Sequence, residues 1–150
     1  MCMTFCDHEI QEFRSLTDNA SSIVLVPHQN PDGDAIGSTL ALQHWLRSRG
    51  KKAKVIVANA FPQFLAWLPG ADGIVNYEDD QKAVQEVIES TDLICCLDFN
   101  DLKRTAVLQP LLKEIAVPTI LIDHHLGRAD WCSVDLSDAT ASSTCELVFR

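Results

Sequence analysis

Short apolar, β-branched runs that alternate with helical patterns constrain this chain more than any other feature. Ser22-Ile23-Val24-Leu25-Val26 reads as a buried strand. Residues 34–49 then place Ile36, Leu40, Leu42, Trp45 and Leu46 at helical spacing, and Gly50 stops the pattern. Lys54-Val55-Ile56-Val57 is the second strand. Residues 61–68 are expected to form a short helix, with Pro62 in its first turn and Pro69-Gly70 at its end. Ile74-Val75 reads as a short strand, and residues 80–89 as a helix with Ala83, Val84, Val87 and Ile88 on one side. Leu93–Leu97 is a strand, 105–115 a helix interrupted near Pro110, Thr119-Ile120-Leu121-Ile122 a strand, and 131–134 a short edge strand. This alternation predicts an α/β fold: a doubly wound, mainly parallel sheet of about five strands with helices on both faces.

A length of 150 residues suits one domain, and 47% hydrophobic residues suffice for a core and argue against wholesale disorder. The 12 basic and 21 acidic residues leave a formal charge of -9. That sign argues against a free-standing binder of long nucleic acid, whose phosphate contacts need Lys and Arg. It fits either an acidic surface or carboxylates gathered around divalent cations. None of the six cysteines forms a C-x-x-C pair, which disfavours a zinc knuckle or a thioredoxin-like centre. Cys95 and Cys96 are adjacent in a strand, so they face opposite sides and read as small core residues in a reduced compartment. The first ten residues lack a basic stretch followed by an apolar one, and no apolar run approaches membrane-spanning length. A cytoplasmic protein with no membrane partner is the expectation.

Three strands end in the same kind of residue. Val26 is followed by Pro27-His28-Gln29-Asn30-Pro31-Asp32-Gly33-Asp34, Leu97 by Asp98-Phe99-Asn100-Asp101, and Ile122 by Asp123-His124-His125. In an open parallel sheet the loops at the carboxyl ends of the strands converge on one crevice. His28, Asp32, Asp34, Asp98, Asp123, His124 and His125 are therefore expected to meet. Carboxylates with neutral imidazoles are a ligand set for Mn²⁺, Fe²⁺, Co²⁺ or Zn²⁺. Without a cation, several packed carboxylates would repel one another. In the turn before the first helix, Pro31 fixes one φ, Gly33 permits a positive one, and Asp34 could cap the helix. Taken singly, each of these residues has a bland reading as a cap, a turn former or an exposed His; the three clusters together carry the signal.

The stretch from His28 through Asn30-Pro31-Asp32-Gly33-Asp34-Ala35-Ile36-Gly37 to Ser38 resembles the first motif of the DHH-family phosphoesterases. Asp98 resembles the second motif, and Asp123-His124-His125 the one that names the family. Ser142-Ser143-Thr144-Cys145-Glu146 is similar to a further segment of the branch of bifunctional oligoribonucleases and pAp phosphatases. The likeness covers about residues 20–150, and its ordered motifs are specific to the family rather than to one branch. It implies two divalent ions, manganese first. His28, Asp32 and Asp98 would hold one ion, and Asp34, Asp98 and His124 the other. His125 would contact the scissile phosphate and Asp123 would orient the imidazoles. A metal-activated hydroxide would hydrolyse short oligoribonucleotides or 3′-phosphoadenosine 5′-phosphate, with no long duplex as partner; a homodimeric whole protein is compatible with this. Cyclic-dinucleotide phosphodiesterases and family II pyrophosphatases share the first motif, and a non-catalytic metal- or nucleotide-binding module is a further alternative.

Family members carry another Asp ligand well downstream, then a DHH-associated domain with a Gly-rich, His-containing loop. Neither is recognisable in this sequence; Asp135 and Asp138 are the nearby acids, with no motif behind them. Ser143 to Glu146 has capping-box spacing ahead of Leu147, Val148 and Phe149, so a helix starts where the chain ends. Residues 1–150 are thus expected to be a DHH domain incomplete at its C-terminal side, inactive or nearly so alone. Arg104 reads as a solvated helix end, Gly37 and Ser38 as small residues for helix–sheet packing, and Trp45, Trp67 and Trp131 as packing residues rather than base-stacking platforms. His8 and His44 receive no role.

Overall fold

The computed structural model describes residues 5–127 and 129–150; Cys2, counted above, lies outside them. The elements are α1 (Asp7–Asn19), β1 (Ser22–Pro27), α2 (Gly33–Ser48), β2 (Lys52–Val57), β3 (Val75–Asn76), α3 (Gln81–Glu89), β4 (Leu93–Leu97), α4 (Gln109–Glu114), β5 (Thr119–Asp123), β6 (Val134–Ser137) and α5 (Thr144–Phe149). The six strands form one sheet in the order β3-β2-β1-β4-β5-β6, and every pairing is parallel. The expected doubly wound fold is present, with the edge strand at Val134–Ser137 rather than 131–134.

The strands are apolar on both faces because each face is covered. Ile23, Leu25, Val55, Cys95 and Ile122 pack with Ile36, Leu40 and Leu46 of α2 and Leu147 of α5, with Phe13 and Leu16 of α1 against them. Val24, Val26, Ile56, Cys96 and Leu121 pack with Val84 and Ile88 of α3 and Leu112 of α4. Cys95 and Cys96 therefore do face opposite layers, both fully buried and free. Burial pushes the Cys95 thiol up to about 12, so both are inert apolar groups at neutral pH.

Several local readings need correction. The helix expected over 61–68 is a single 3-10 turn, Gln63–Leu65, after Pro62. That turn sends Leu65 inward and leaves Phe64 and Trp67 at 72% and 77% exposure, so Trp67 is not a packing residue. The break expected near Pro110 falls at Ala106, whose φ of 49° and ψ of -113° split the 3-10 segment Leu102–Leu108, while Pro110 sits in the first turn of α4. Such a turn tolerates Pro because its N–H has no helical partner to lose. Helix α1 is absent from the sequence reading. It starts with Cys6, whose backbone N–H donates to Glu9 Oε2 at 3.0 Å, and buries a sparse stripe of Phe13, Leu16 and Thr17.

Phe99, 1% exposed, anchors the turn after β4 by stacking on Trp131, ring centroids 6.3 Å apart. Trp131 in turn donates its indole N–H to the Asn100 carbonyl at 3.0 Å. Phe99→Ala is expected to destabilise the chain by about 3–5 kcal/mol, the range for deleting a buried aromatic ring. Urea unfolding midpoints measure it; a loss under about 1 kcal/mol would show that the loop closes over the cavity without strain.

Candidate metal centre

Chain order reverses between β1 and β4: β2 and β3 lie on one side, β5 and β6 on the other. The loops after β1 and β4 therefore part and leave a crevice at the carboxyl ends. Register decides who meets there. Pro27 pairs with Leu97 and Leu97 with Ile122, so His28, Asp98 and Asp123 emerge side by side. The Asp98 N–H still donates to the Ile122 carbonyl at 3.0 Å, but its φ of 69° turns the chain abruptly out of the sheet. Asp is among the few residues that accept this left-handed conformation at modest strain.

The positive φ in the first loop falls on Asn30, at 52°, not on Gly33, which is the first residue of α2. Asn tolerates the left-handed region, and the helix turn begins one residue after Asp32 without glycine's help. Asn30 is further held by a reciprocal pair with Asn59: its N–H donates to Asn59 Oδ1 at 2.8 Å and the Asn59 amide donates back at 2.9 Å. Asn59, after β2, escaped the sequence reading; a polar Asn beyond an apolar strand at the same sheet end was its only signal.

The two acids of the turn divide their work. Asp32, not Asp34, caps α2: its Oδ1 accepts from Asp34 N and Ala35 N at 3.1 and 3.0 Å. The Asp34 carboxylate reaches across to α5, where Oδ2 accepts from Thr144 N and Oδ1 from Cys145 N, both at 2.8 Å. Burial pushes the Asp34 carboxyl up, yet the Cys145 thiol and these N–H groups outweigh it and hold it below the usual carboxylate range.

His28 is buried, and its Nδ1 lies 2.7 Å from the Gln29 carbonyl, which can only accept. Nδ1 therefore carries the proton, and Nε2 faces Asp98 Oδ2 at 3.5 Å and Asp32 Oδ1 at 4.0 Å. His124 Nε2 lies 3.5 Å from both Asp34 Oδ2 and Asp98 Oδ1. Asp98, 2% exposed, thus has one oxygen toward each imidazole. Asp123 is fully buried and accepts the His125 Nδ1 proton at 2.7 Å; among the described residues, Asp123 Oδ2 has no hydrogen-bond partner.

The donor set fits divalent cations. Ligand atoms of His28, Asp32 and Asp98 lie within 4.8 Å of one another, as do those of Asp98, His124 and His125. The 3.5 Å imidazole–carboxylate separations exceed ordinary hydrogen bonds of about 2.7–3.2 Å. They leave room for an ion bound by both groups at about 2.1 Å. His125 Nδ1 is already engaged by Asp123 at 2.7 Å and lies 3.9 Å from Asp98 Oδ1. The other acids are engaged locally: Asp101 Oδ1 accepts from Lys103 N at 2.9 Å, Asp135 accepts from Ser137, and Asp138 Oδ1 accepts from Thr140 N and Oγ1.

The remaining residues separate clearly. Arg104 is exposed, and its carbonyl accepts from Gln29 N at 2.7 Å, tying its segment to the first loop. Gly37 serves helix–helix rather than helix–sheet contact: a Cβ there would lie 3.0 Å from Cys145 Sγ. His44 Nε2 bonds the Pro69 carbonyl at 2.8 Å, and His8 lies 3.4 Å from Glu12 on the surface.

With fold and geometry together, the chain belongs to the DHH family, whose N-terminal domain model matches residues 22–150. It is similar over its whole length to the crystal structure of an exopolyphosphatase-related protein from Bacteroides fragilis, at 43% identity and a TM-score of 0.97, covering 44% of that chain. A bifunctional oligoribonuclease and PAP phosphatase, NrnA, from Thermus thermophilus is 29% identical over 84% of this chain and 35% of its own length. RecJ from Thermus thermophilus, in complex with Mn²⁺, shares the fold at 18% identity and a TM-score of 0.57, over 98% of this chain and 20% of its own. The chain thus spans less than half of each of these proteins. Among the described residues, no helix is long and apolar enough to cross a membrane.

Proposed function

We propose that residues 1–150 form the DHH N-terminal domain of a metal-dependent phosphoesterase that hydrolyses short oligoribonucleotides and 3′-phosphoadenosine 5′-phosphate. The observation that carries this reading is the pair of carboxylate–imidazole sets that share Asp98 at the switch point of the sheet. His28, Asp32 and Asp98 would hold one ion, and Asp34, Asp98 and His124 the other. When bound, divalent cations, manganese first, supply Lewis acidity and acidify water for attack on phosphorus. His125, with Nδ1 fixed on Asp123, would present Nε2 to a phosphoryl oxygen. Cys145 is not a competing nucleophile: burial, reinforced by its hydrogen bond to Asp34 and that carboxylate's charge, pushes its thiol up to about 12. The NrnA relative, whose name includes both an oligoribonuclease and a PAP phosphatase, supports the choice of substrates.

Mn²⁺ is expected to raise the melting temperature at neutral pH, by a term worth about 2.7 kcal/mol at a hundredfold excess over Kd. The Asp98 carboxylate facing its ring raises His28 above its ordinary 6.5, although burial opposes it. A ligand imidazole must be neutral, so affinity is expected to fall as pH drops, beginning above 6.5. The metal-free chain behaves oppositely: the stabilisation from protonated His28 is complete below 6.5 and is lost as pH rises through the raised value. A melting temperature indifferent to Mn²⁺ would refute the metal reading. For the substrate, Mn²⁺-dependent release of mononucleotide or phosphate by the whole protein is compared among a short RNA, 3′-phosphoadenosine 5′-phosphate, cyclic di-AMP and inorganic pyrophosphate. Preference for either of the last two would overturn the substrate assignment while leaving the metal centre standing.

A further inference from the structure

We propose that the first turn of α5 is a positioning element of the metal centre, with Thr144 as the residue that aligns the carboxylates of Asp34 and Asp98. The inference rests on the metal reading above. Thr144 holds two atoms at once: its N–H donates to Asp34 Oδ2 at 2.8 Å and its hydroxyl to Asp98 Oδ1 at 2.9 Å. Those are the same two oxygens that face His124 Nε2, each at 3.5 Å. One residue thus sets the spacing of the oxygens on which the His124-side ion would rest.

A carboxylate oxygen has two lone pairs, so a single hydrogen bond leaves the other directed elsewhere. Thr144 occupies one on each oxygen and keeps both carboxylates from swinging toward solvent or toward each other. Thr144 is fully buried, which makes the geometry firm, since no water competes for its hydroxyl. The Cys145 N–H holds the second Asp34 oxygen at 2.8 Å, fixing the plane of that carboxylate. The turn is seated by close approach to α2: Gly37 leaves room for Cys145 Sγ, and Ser143 caps α5 through Glu146 N at 3.0 Å. Partners behind ligating carboxylates act in this way, and their loss typically weakens metal binding about 10–100-fold.

Thr144→Val keeps the side-chain shape and removes the hydroxyl, Thr144→Ser keeps the hydroxyl, and Thr144→Ala removes it without filling its place. The measurement is calorimetric titration of the 150-residue chain with Mn²⁺ at neutral pH, alongside urea unfolding of the metal-free variants. T144V and T144A are expected to weaken Mn²⁺ at the Asp34–His124 position by about 10–100-fold, with T144S within about threefold of the parent. A purely structural role would lower the unfolding midpoint of T144V without separating it from T144S in affinity. If the parent binds Mn²⁺ and T144V and T144A bind it equally well, the positioning role is overturned and the metal reading survives. T144S as weak as T144V overturns it too. A parent chain that binds no Mn²⁺ removes the metal reading and this inference with it.

Discussion

Asp98→Asn is expected to empty both metal positions, while Asp101→Ala, three residues away, empties neither. Among the described residues, Asp98 is the only acid whose two oxygens face two different imidazoles, His28 from Oδ2 and His124 from Oδ1, each at 3.5 Å. Neutralising it removes a ligand and a negative charge from both sets. The loss in Mn²⁺ affinity should therefore exceed the about 10–100-fold that follows removal of an outer partner. Asn is the informative replacement because the residue sits at φ 69°, which Asn accepts nearly as well as Asp. Alanine there would add backbone strain of about 1–2 kcal/mol and blur the result. Asp101, by contrast, only caps the segment that follows it, and its loss should cost about 1 kcal/mol of stability. Calorimetric stoichiometry separates the two outcomes. One ion retained at parental affinity in Asp98→Asn would show that Asp98 serves a single position and is not a bridge.

What the sequence makes legible here is what periodicity and strand ends control. The runs at Ser22, Leu93 and Thr119 are apolar on both faces, so they can only be interior strands of a covered parallel sheet. Once they are parallel, His28, Asp98 and Asp123 must emerge at one end, and their convergence follows from topology alone. The sequence is silent where a side chain chooses among equally local partners. Asp32 and Asp34 both stand at a helix start, and either could cap it; only the packing of α5 against α2 decides that Asp34 reaches 110 positions along the chain instead. Asn59 likewise becomes part of the first loop because β2 lies beside β1, which no spacing rule encodes. The 3-10 turn at Gln63 and the break at Ala106 fail for a different reason. Both lie in short segments where a few backbone angles outweigh the apolar spacing.

The double engagement of Asp34 gives the other large effect. Asp34→Ala is expected to weaken the ion shared with His124 and also to loosen the metal-free chain. Its carboxylate is mostly buried, and it accepts two N–H bonds at the start of α5, where helical N–H groups have no partner of their own. Hydrogen bonds to a charged acceptor are each worth about 1.5–3 kcal/mol, so even partial replacement by water leaves a measurable loss. His124→Ala removes the imidazole proposed as the opposite ligand of the same ion. Among the described residues, no hydrogen bond ties its ring to α5, so the metal-free chain should unfold at nearly the parental urea concentration. The pair therefore separates ligation from scaffolding: both variants lose Mn²⁺ affinity, and only Asp34→Ala loses metal-free stability. Equal metal-free midpoints would mean that α5 is held by Leu147 and its apolar neighbours alone. The carboxylate would then be a ligand that α5 merely touches, and the alignment assigned to Thr144 would have to come from the hydroxyl on Asp98 without help from the backbone.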